Sequence, residues 1–560
     1  MIIMTITHWV KYMASMTSDA SSAFSIDHLG IVSAVAKELG LVEKLDRRLP
    51  RYDVRRIVSN GNAVLAMILN GLGFSNQRLY LMPQFLANKP IDRLLEPNLK
   101  PEHFDDHVLG RTLDEISEYG ASKLFVEIAF EIALEQNLLG KEAHIDTTSF
   151  SFEGAYSEQS SEPATVNICH GFSKDHRKDL KQVVLNMAVS GPANMPIFME
   201  PLSGNTSDKK SLPSGIDTVR SFQKQLQEGF ADFLWIADSA LYSKEKLLAR
   251  NDFFWVSRVP ETIVDAKILV AKADHEVNWV IIENGYRYSA NRSSYGGIDQ
   301  HWILVFSEQA YSRERATFET NLAKQDENAK KELWHVSNQI YGCETDANKA
   351  LEKAMKKFPY HEMKFAKIEP ILKFSGKGRP KPEAPKQIVG YKVGGEIKRN
   401  DTKIDAELST KGRFIIASND ISNTDFSGIL SSYKNQQKVE QGFRFLKDPW
   451  FMADTMFLKS PRRIEALMMV MTLCLMIYNV AQYRLRTALS EEKETLPDQL
   501  GKQTSSPTLR WVFQMMEGVI LVVQNSSNET IKTIFFNLNA LRLKIIRLFG
   551  LRACEIYGTA

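Results

Sequence analysis

Three observations predict an α/β core with a mixed sheet, preceded by helices and interrupted by an inserted segment. Residues from about 25 to 140 place apolar side chains at helical spacing, and from 142 the apolar period drops to two. Between about 260 and 422 the alternation of strand and helix breaks down. At 560 residues the chain is too long for one simple core, so several domains are expected.

The helical part contains "GNAVLAMILNGLGF" and "RTLDEISEYGASKLFVEIAFEIALEQ", joined through the Pro-punctuated "LMPQFLANKPIDRLLEPNLKP". "EAHIDTTSFSF" then alternates as a strand, and "QVVLNMAVS" and "MPIFMEPL" are strands joined by the turn "GPAN". "SDKKSLPSGIDTVRSFQKQL" reads as a helix. "DFLWIADSA" is a short apolar strand that ends in an aspartate, "SKEKLLARN" a helix capped by Ser243, and "FFWVSRV" a further buried strand. Three strands, a helix, a strand, a helix and a strand is the ribonuclease-H-like order.

The irregular block holds the strand-like pieces "VNWVII", "YRYSA", "HWILVFS" and "GRFIIAS", a charged helical span over 311–358 and the basic, exposed loop "KFSGKGRPKPEAPK". An amphipathic helix carrying "YKNQQKVEQGFRFLK" follows, then an apolar helix over 464–484, a polar linker and a mixed closing segment. The expected divisions are a helical N-terminal domain over 25–140, the first part of the α/β domain over 141–260, a mixed α+β insertion over 261–422, the rest of the α/β domain over 423–485, and a C-terminal segment over 486–560.

Composition narrows the class. Hydrophobic content of 44% and charged content of 24% are ordinary for a soluble globular protein, and a net charge of +3 permits nucleic acid without requiring it. Cys169, Cys343, Cys474 and Cys554 are scattered without CxxC or zinc-type spacing, which favours a reducing compartment over a disulfide framework. The opening "MIIMTITHWVKYMASMTSD" lacks the basic-then-apolar pattern of a signal peptide. "ALMMVMTLCLMIY" (Ala466–Tyr478) falls short of the roughly 18–20 residues a bilayer needs, so a buried core helix, no membrane and a cytoplasmic location are expected.

The carboxylates carry the chemistry. Asp146 lies in the first strand and Asp238 at the end of the fourth, and those strands are neighbours in a ribonuclease-H-like sheet. Glu440 would come from the late helix. A lone aspartate at a strand end is more often a turn former than a ligand, but two buried strands each bearing one acid shift the balance. Such carboxylates raise one another's pKa unless a cation sits among them. Magnesium, or manganese in its place, prefers oxygen donors of this kind. Tyr433, Gln436, Glu440, Arg444 and Lys447 fall on one stripe at 3.6 residues per turn, which suits either a solvated face or a face turned to a site.

At these residues the chain resembles the DDE transposases of bacterial insertion sequences, in the group marked by a Y-(2)-R-(3)-E-(6)-K signature. Tyr433, Gln436, Glu440 and Lys447 reproduce the spacing, with glutamine in place of arginine. "HIDTTSF" and "IADSALYS" look like the two aspartate blocks, and "HGFSKDHRKDLKQVVLNMAVS" and "SGNTSD" like the segments that follow the first. The helical opening and "PTLRWVFQMMEGV" are similar to the ends of one branch of that group.

The resemblance implies Asp146, Asp238 and Glu440 as a metal-binding catalytic triad, with an insertion between the second and third acids. It also implies double-stranded DNA, as inverted-repeat ends and target, as substrate. Tyr433, Gln436 and Lys447 would meet phosphate, and Arg444 joins them by geometry. Lys174 and Arg177, in "SKDHRKD", are basic candidates for the DNA backbone. Arg55 and Arg56 are weaker ones on the helical domain, which would bind the transposon ends. A homodimer is expected because two ends must meet. Trp279, Trp302, Trp334 and Trp450 could stack on a flipped base, with core packing the commoner role. The rival readings are a ribonuclease-H-like nuclease without strand transfer and a non-catalytic DNA-binding repressor.

Overall fold

The computed structural model describes residues 20–50, 56–74, 78–154, 156, 166–226, 232–244, 247, 252–375, 385–448, 451, 458, 460–526 and 529–560. They form two compact units, one of residues 1–256 with 431–560 and a second of residues 257–430.

Within the first unit, β1 (Ala20–Ser25) stands apart from the central sheet of β2 (Glu142–Phe152), β3 (Lys181–Ser190), β4 (Met195–Ser203), β5 (Leu234–Ala237) and β6 (Trp255–Arg258). The sheet order is β4-β3-β2-β5-β6. β2 and β3 are antiparallel, as are β3 and β4, whereas β2 and β5 run parallel. A parallel neighbour requires a crossover, and the helix Asp208–Gln225 supplies it. This is a ribonuclease-H-like mixed sheet flanked by an α-helical N-terminal region.

The two faces of the sheet are covered differently. Direct partners in an antiparallel pair point the same way, so Asp146 and its partner Met187 share one face, and Phe150 lies on it too. On this face Gly442, in the helix Gln437–Leu446, passes so close that a Cβ there would stand 3.1 Å from Met187 Cε and 3.0 Å from Leu475 Cδ2. Ile145 and Asn186 point to the other face. There Gly215, in the Asp208–Gln225 helix, passes so close that a Cβ would stand 2.6 Å from Asn186 Nδ2 and 3.0 Å from Ile145 Cδ1. The strand's alternation thus sends Asp146 toward one helix and Thr147 toward the other.

The N-terminal helices are not a separate body. The helix Asn60–Leu72 is buried along its whole length, and it shares one apolar core with β3, the Gln437–Leu446 helix and the helix Pro461–Glu491. A helix buried all round needs cover on every side, which a domain of 25–140 alone would not supply. Pro461–Glu491 is long and apolar enough to cross a membrane by length and composition, yet 83% of its apolar window is buried inside the protein. A second sheet pairs β1 with Ile520–Ser526, which pairs in turn with Glu529–Phe536.

The second unit has the antiparallel order β12-β9-β8-β7, from β7 (Val280–Ile282), β8 (Tyr286–Ser293), β9 (Gln300–Ser307) and β12 (Arg413–Ser418). It also carries a long hairpin of β10 (His361–Phe374) and β11 (Lys386–Arg399). This hairpin was not foreseen; residues 376–384 of the basic loop between its strands lie outside the described residues. The charged span over 311–358 proves to be two helices, Glu308–Asn338 and Glu344–Met355. They part where Tyr341 leaves the helix to bridge Tyr391 in β11. The helix expected after Ser243 falls mostly outside the described residues.

Candidate active site

The parallel register of β2 and β5 pairs Ile145 with Ala237, which makes Asp146 and Asp238 the next residues on adjoining strands. Neighbouring strands lie about 4.8 Å apart, so the two carboxyls emerge side by side at one end of the pair. Each Asp also accepts a local backbone N–H: Thr147 donates to Asp146 Oδ1 at 2.7 Å and Ala240 to Asp238 Oδ1 at 2.9 Å.

Charge is concentrated here. Burial pushes the Asp146 carboxyl up to about 6; Lys174 opposes that rise, and Asp238 and Asp208 add to it. Asp238 is also raised, chiefly by burial, with Asp208 contributing. Asp208 was not anticipated. It opens the 208–225 helix behind Ser207, and an acid in a helix's first turn is so common that nothing in the sequence marked it as part of a site. Its Oδ1 accepts from Thr147 Oγ1 at 2.5 Å, and its Oδ2 lies 3.2 Å from Lys174 Nζ.

Lys174, expected on the DNA backbone, is instead drawn into the site. Its Nζ donates to the Thr147 carbonyl at 2.6 Å and to Thr147 Oγ1 at 2.8 Å, and stands 3.5 Å from Asp146 Oδ1. Burial works against its charge, but Asp146 and Asp208 outweigh that and raise its pKa. Its backbone N–H donates to Ser149 Oγ at 3.2 Å, fastening the 173–180 loop to β2.

The helix expected to carry the polar stripe unbroken is two helices, Phe426–Lys434 and Gln437–Leu446. The break comes at Gln436, whose Nε2 donates to the Ile145 carbonyl at 3.0 Å. Gln436 is therefore buried against the strand rather than presented to phosphate. Lys447 Nζ sits 2.6 Å from Asp175 and above the Phe150 ring. These two ties match in length, since eleven helical residues and five strand residues each span about 16.5 Å. Glu440 lies between them along the helix and is exposed. Even so, among the described residues no three His, Cys, Asp or Glu side chains are gathered closely enough to hold a metal.

The donor set nonetheless suits a hard divalent cation. Asp146 and Asp238 offer adjoining carboxylates, and magnesium keeps several waters beside one or two such ligands. A carboxyl held up by burial and by its acidic neighbours is one that a divalent charge would ionise.

The remaining candidates scatter. Arg444 is exposed one turn beyond Glu440, and Tyr433 is half-buried on the preceding helix. Arg177 is exposed and paired with Asp179 at 2.8 Å. Arg56 is buried, donating to Glu115 at 2.7 Å and to Thr112, so it braces the helices rather than facing a ligand. Arg55 and Trp450 lie outside the described residues. Trp302 is buried, Trp279 lies under Arg287, and Trp334 is exposed.

Residues 21–130 match the family model described as "Domain of unknown function (DUF4277)". No curated protein matches the chain. Among solved structures, the cryo-EM structure of a piggyBac transposase synaptic complex with hairpin DNA aligns over 88% of this chain and 80% of that chain, at 10% identity and a TM-score of 0.34.

Proposed function

We propose that this chain is a DNA transposase that binds insertion-sequence ends, cleaves them and joins them to target DNA by metal-dependent phosphoryl transfer. The observation that carries the reading is the placement of Asp146, in β2, beside Asp238, the residue just past the end of the parallel strand β5, in a ribonuclease-H-like sheet. The ordered resemblance of the "HIDTTSF", "IADSALYS" and Tyr433–Lys447 segments to DDE transposases supports it.

On this reading Asp146 and Asp238 hold magnesium or manganese, and Glu440 joins them by a side-chain swing from its helix. When bound, the metal neutralises charge at the scissile phosphate and lowers the pKa of the attacking hydroxyl. The chain's own residues supply position. Gln436 locks the helix to β2 one residue before Asp146, so the third acid is delivered at a fixed height along the strand. Arg444 offers an exposed cation to the DNA backbone, while Lys447 and Arg177 reach phosphate by exchanging Asp175 and Asp179 for it. The substrate is double-stranded DNA, and a homodimer brings two ends together in the cytoplasm.

The test is a strand-transfer assay with precut ends, target plasmid and magnesium. The wild type should join ends to target. Asp146→Asn, Asp238→Asn and Glu440→Gln should each lose joining by about 10³-fold or more, while still shifting end DNA in a gel. Cleavage without joining would identify a nuclease, and end binding without either reaction a repressor.

A further inference from the structure

We infer that Lys174 is a resident positive charge of the acid site, a positioning residue clamped by Thr147 and Asp208, and that divalent ions bind against its repulsion. The inference rests on Asp146 and Asp238 being the metal ligands.

An ammonium has three protons to give. Two of those of Lys174 go to the Thr147 carbonyl at 2.6 Å and Thr147 Oγ1 at 2.8 Å, and Asp208 Oδ2 pairs with its charge at 3.2 Å. Asp146 Oδ1, at 3.5 Å, receives that charge through a long, weak hydrogen bond. Asp208 completes the clamp, because its other oxygen accepts from the same Thr147 hydroxyl at 2.5 Å. The loop is pinned through Ser149 as well. The shorter ties, to Thr147 and Asp208, do not involve Asp146, so the charge stays where it is whether or not that carboxylate acquires another partner. An opportunistic surface lysine would be free to swing away; this one is not.

A fixed unit charge within about 5 Å of a divalent ion costs roughly tenfold or more in affinity, even where the effective dielectric is close to that of water. In exchange, the site carries partial neutralisation before any ion arrives, and a cation is already in place for the incoming phosphate. The protein alone should therefore bind metal weakly, and binding should tighten once DNA supplies compensating negative charge.

The experiment is a manganese titration of the full chain without DNA, followed by calorimetry and by the electron paramagnetic resonance signal of free Mn²⁺. Lys174→Met should bind manganese about tenfold more tightly than wild type. Lys174→Gln, which keeps polar contact with Thr147 without the charge, should do the same, and Lys174→Arg should stay near wild type. The inference is overturned if correctly folded Met and Gln variants bind no more tightly than wild type. It is equally overturned if Asp208→Asn weakens binding as much as Asp146→Asn does, since Asp208 would then be a ligand itself. Asp146→Asn separates the two levels. If it leaves manganese binding intact, the assignment of the metal site fails; if it abolishes binding while the Lys174 variants change nothing, only the present inference fails.

Discussion

At the scale of single residues, two buried titratable groups make opposite contributions to stability. Asp146 rises from 3.8 to about 6, chiefly through burial. Its folded-state pKa lies above its unfolded value, so in metal-free buffer its contribution is full below about pH 4 and is lost as pH rises through 6. Asp146→Asn should therefore gain on the wild type between pH 4 and 8, by up to about 3 kcal/mol. His28 is depressed from 6.5 to about 4, again by burial, with Nε2 donating to the Leu72 carbonyl at 2.8 Å and the ring stacked on Phe513. Its contribution is present above pH 6.5 and lost on acidification through 4, so replacing it with glutamine should flatten the acid limb. Urea titrations of each variant against wild type across that pH range, with chelator present, measure both differences. Asp146 was legible in the sequence because an acid inside a buried strand conflicts with its surroundings. Lys174 and Asp208 were not, because a lysine in a basic loop and an aspartate at a helix start already have ordinary explanations.

Among the elements, the helix Asp208–Gln225 and the sheet meet at a glycine. A methyl group at Gly215 would have to displace Asn186 or Ile145, the residue before Asp146. Gly215→Ala should cost about 1–3 kcal/mol, and because the displaced strand carries the acid, joining activity should fall further than the melting temperature suggests. Gln436→Ala leaves the Ile145 carbonyl without that donor and should cost about 1–3 kcal/mol. Thermal melts with strand-transfer rates on the same preparations check both. The strands and the crossover helix could be read from periodicity. The break at Gln436 could not, since "NQQ" propagates a helix as well as most sequences do, and it is a carbonyl from a strand nearly 300 positions earlier that turns the side chain inward.

For the first unit as a whole, the helical N-terminal region and the sheet share a core, with Pro461–Glu491 between them. Periodicity identified each apolar helix but not which helices cover one another, because that is settled by shape between segments far apart in the chain. A fragment beginning at residue 141 should lose cooperative unfolding, as seen by circular dichroism, rather than persist as a nuclease that merely fails to find its ends. A fragment that melts sharply would show the two regions to be independent.

The pairing of Ala20–Ser25 with Ile520–Ser526 ties the beginning of the described chain to its far end. Closing so long a loop is slow and cannot begin on the ribosome until the late strand has emerged. A gene interrupted anywhere upstream of that strand therefore yields a polypeptide with an unmatched edge and an uncovered apolar interior, fit for proteolysis rather than for partial work. Quality control over the protein is thus exerted through a strand made long after the partner it must cover.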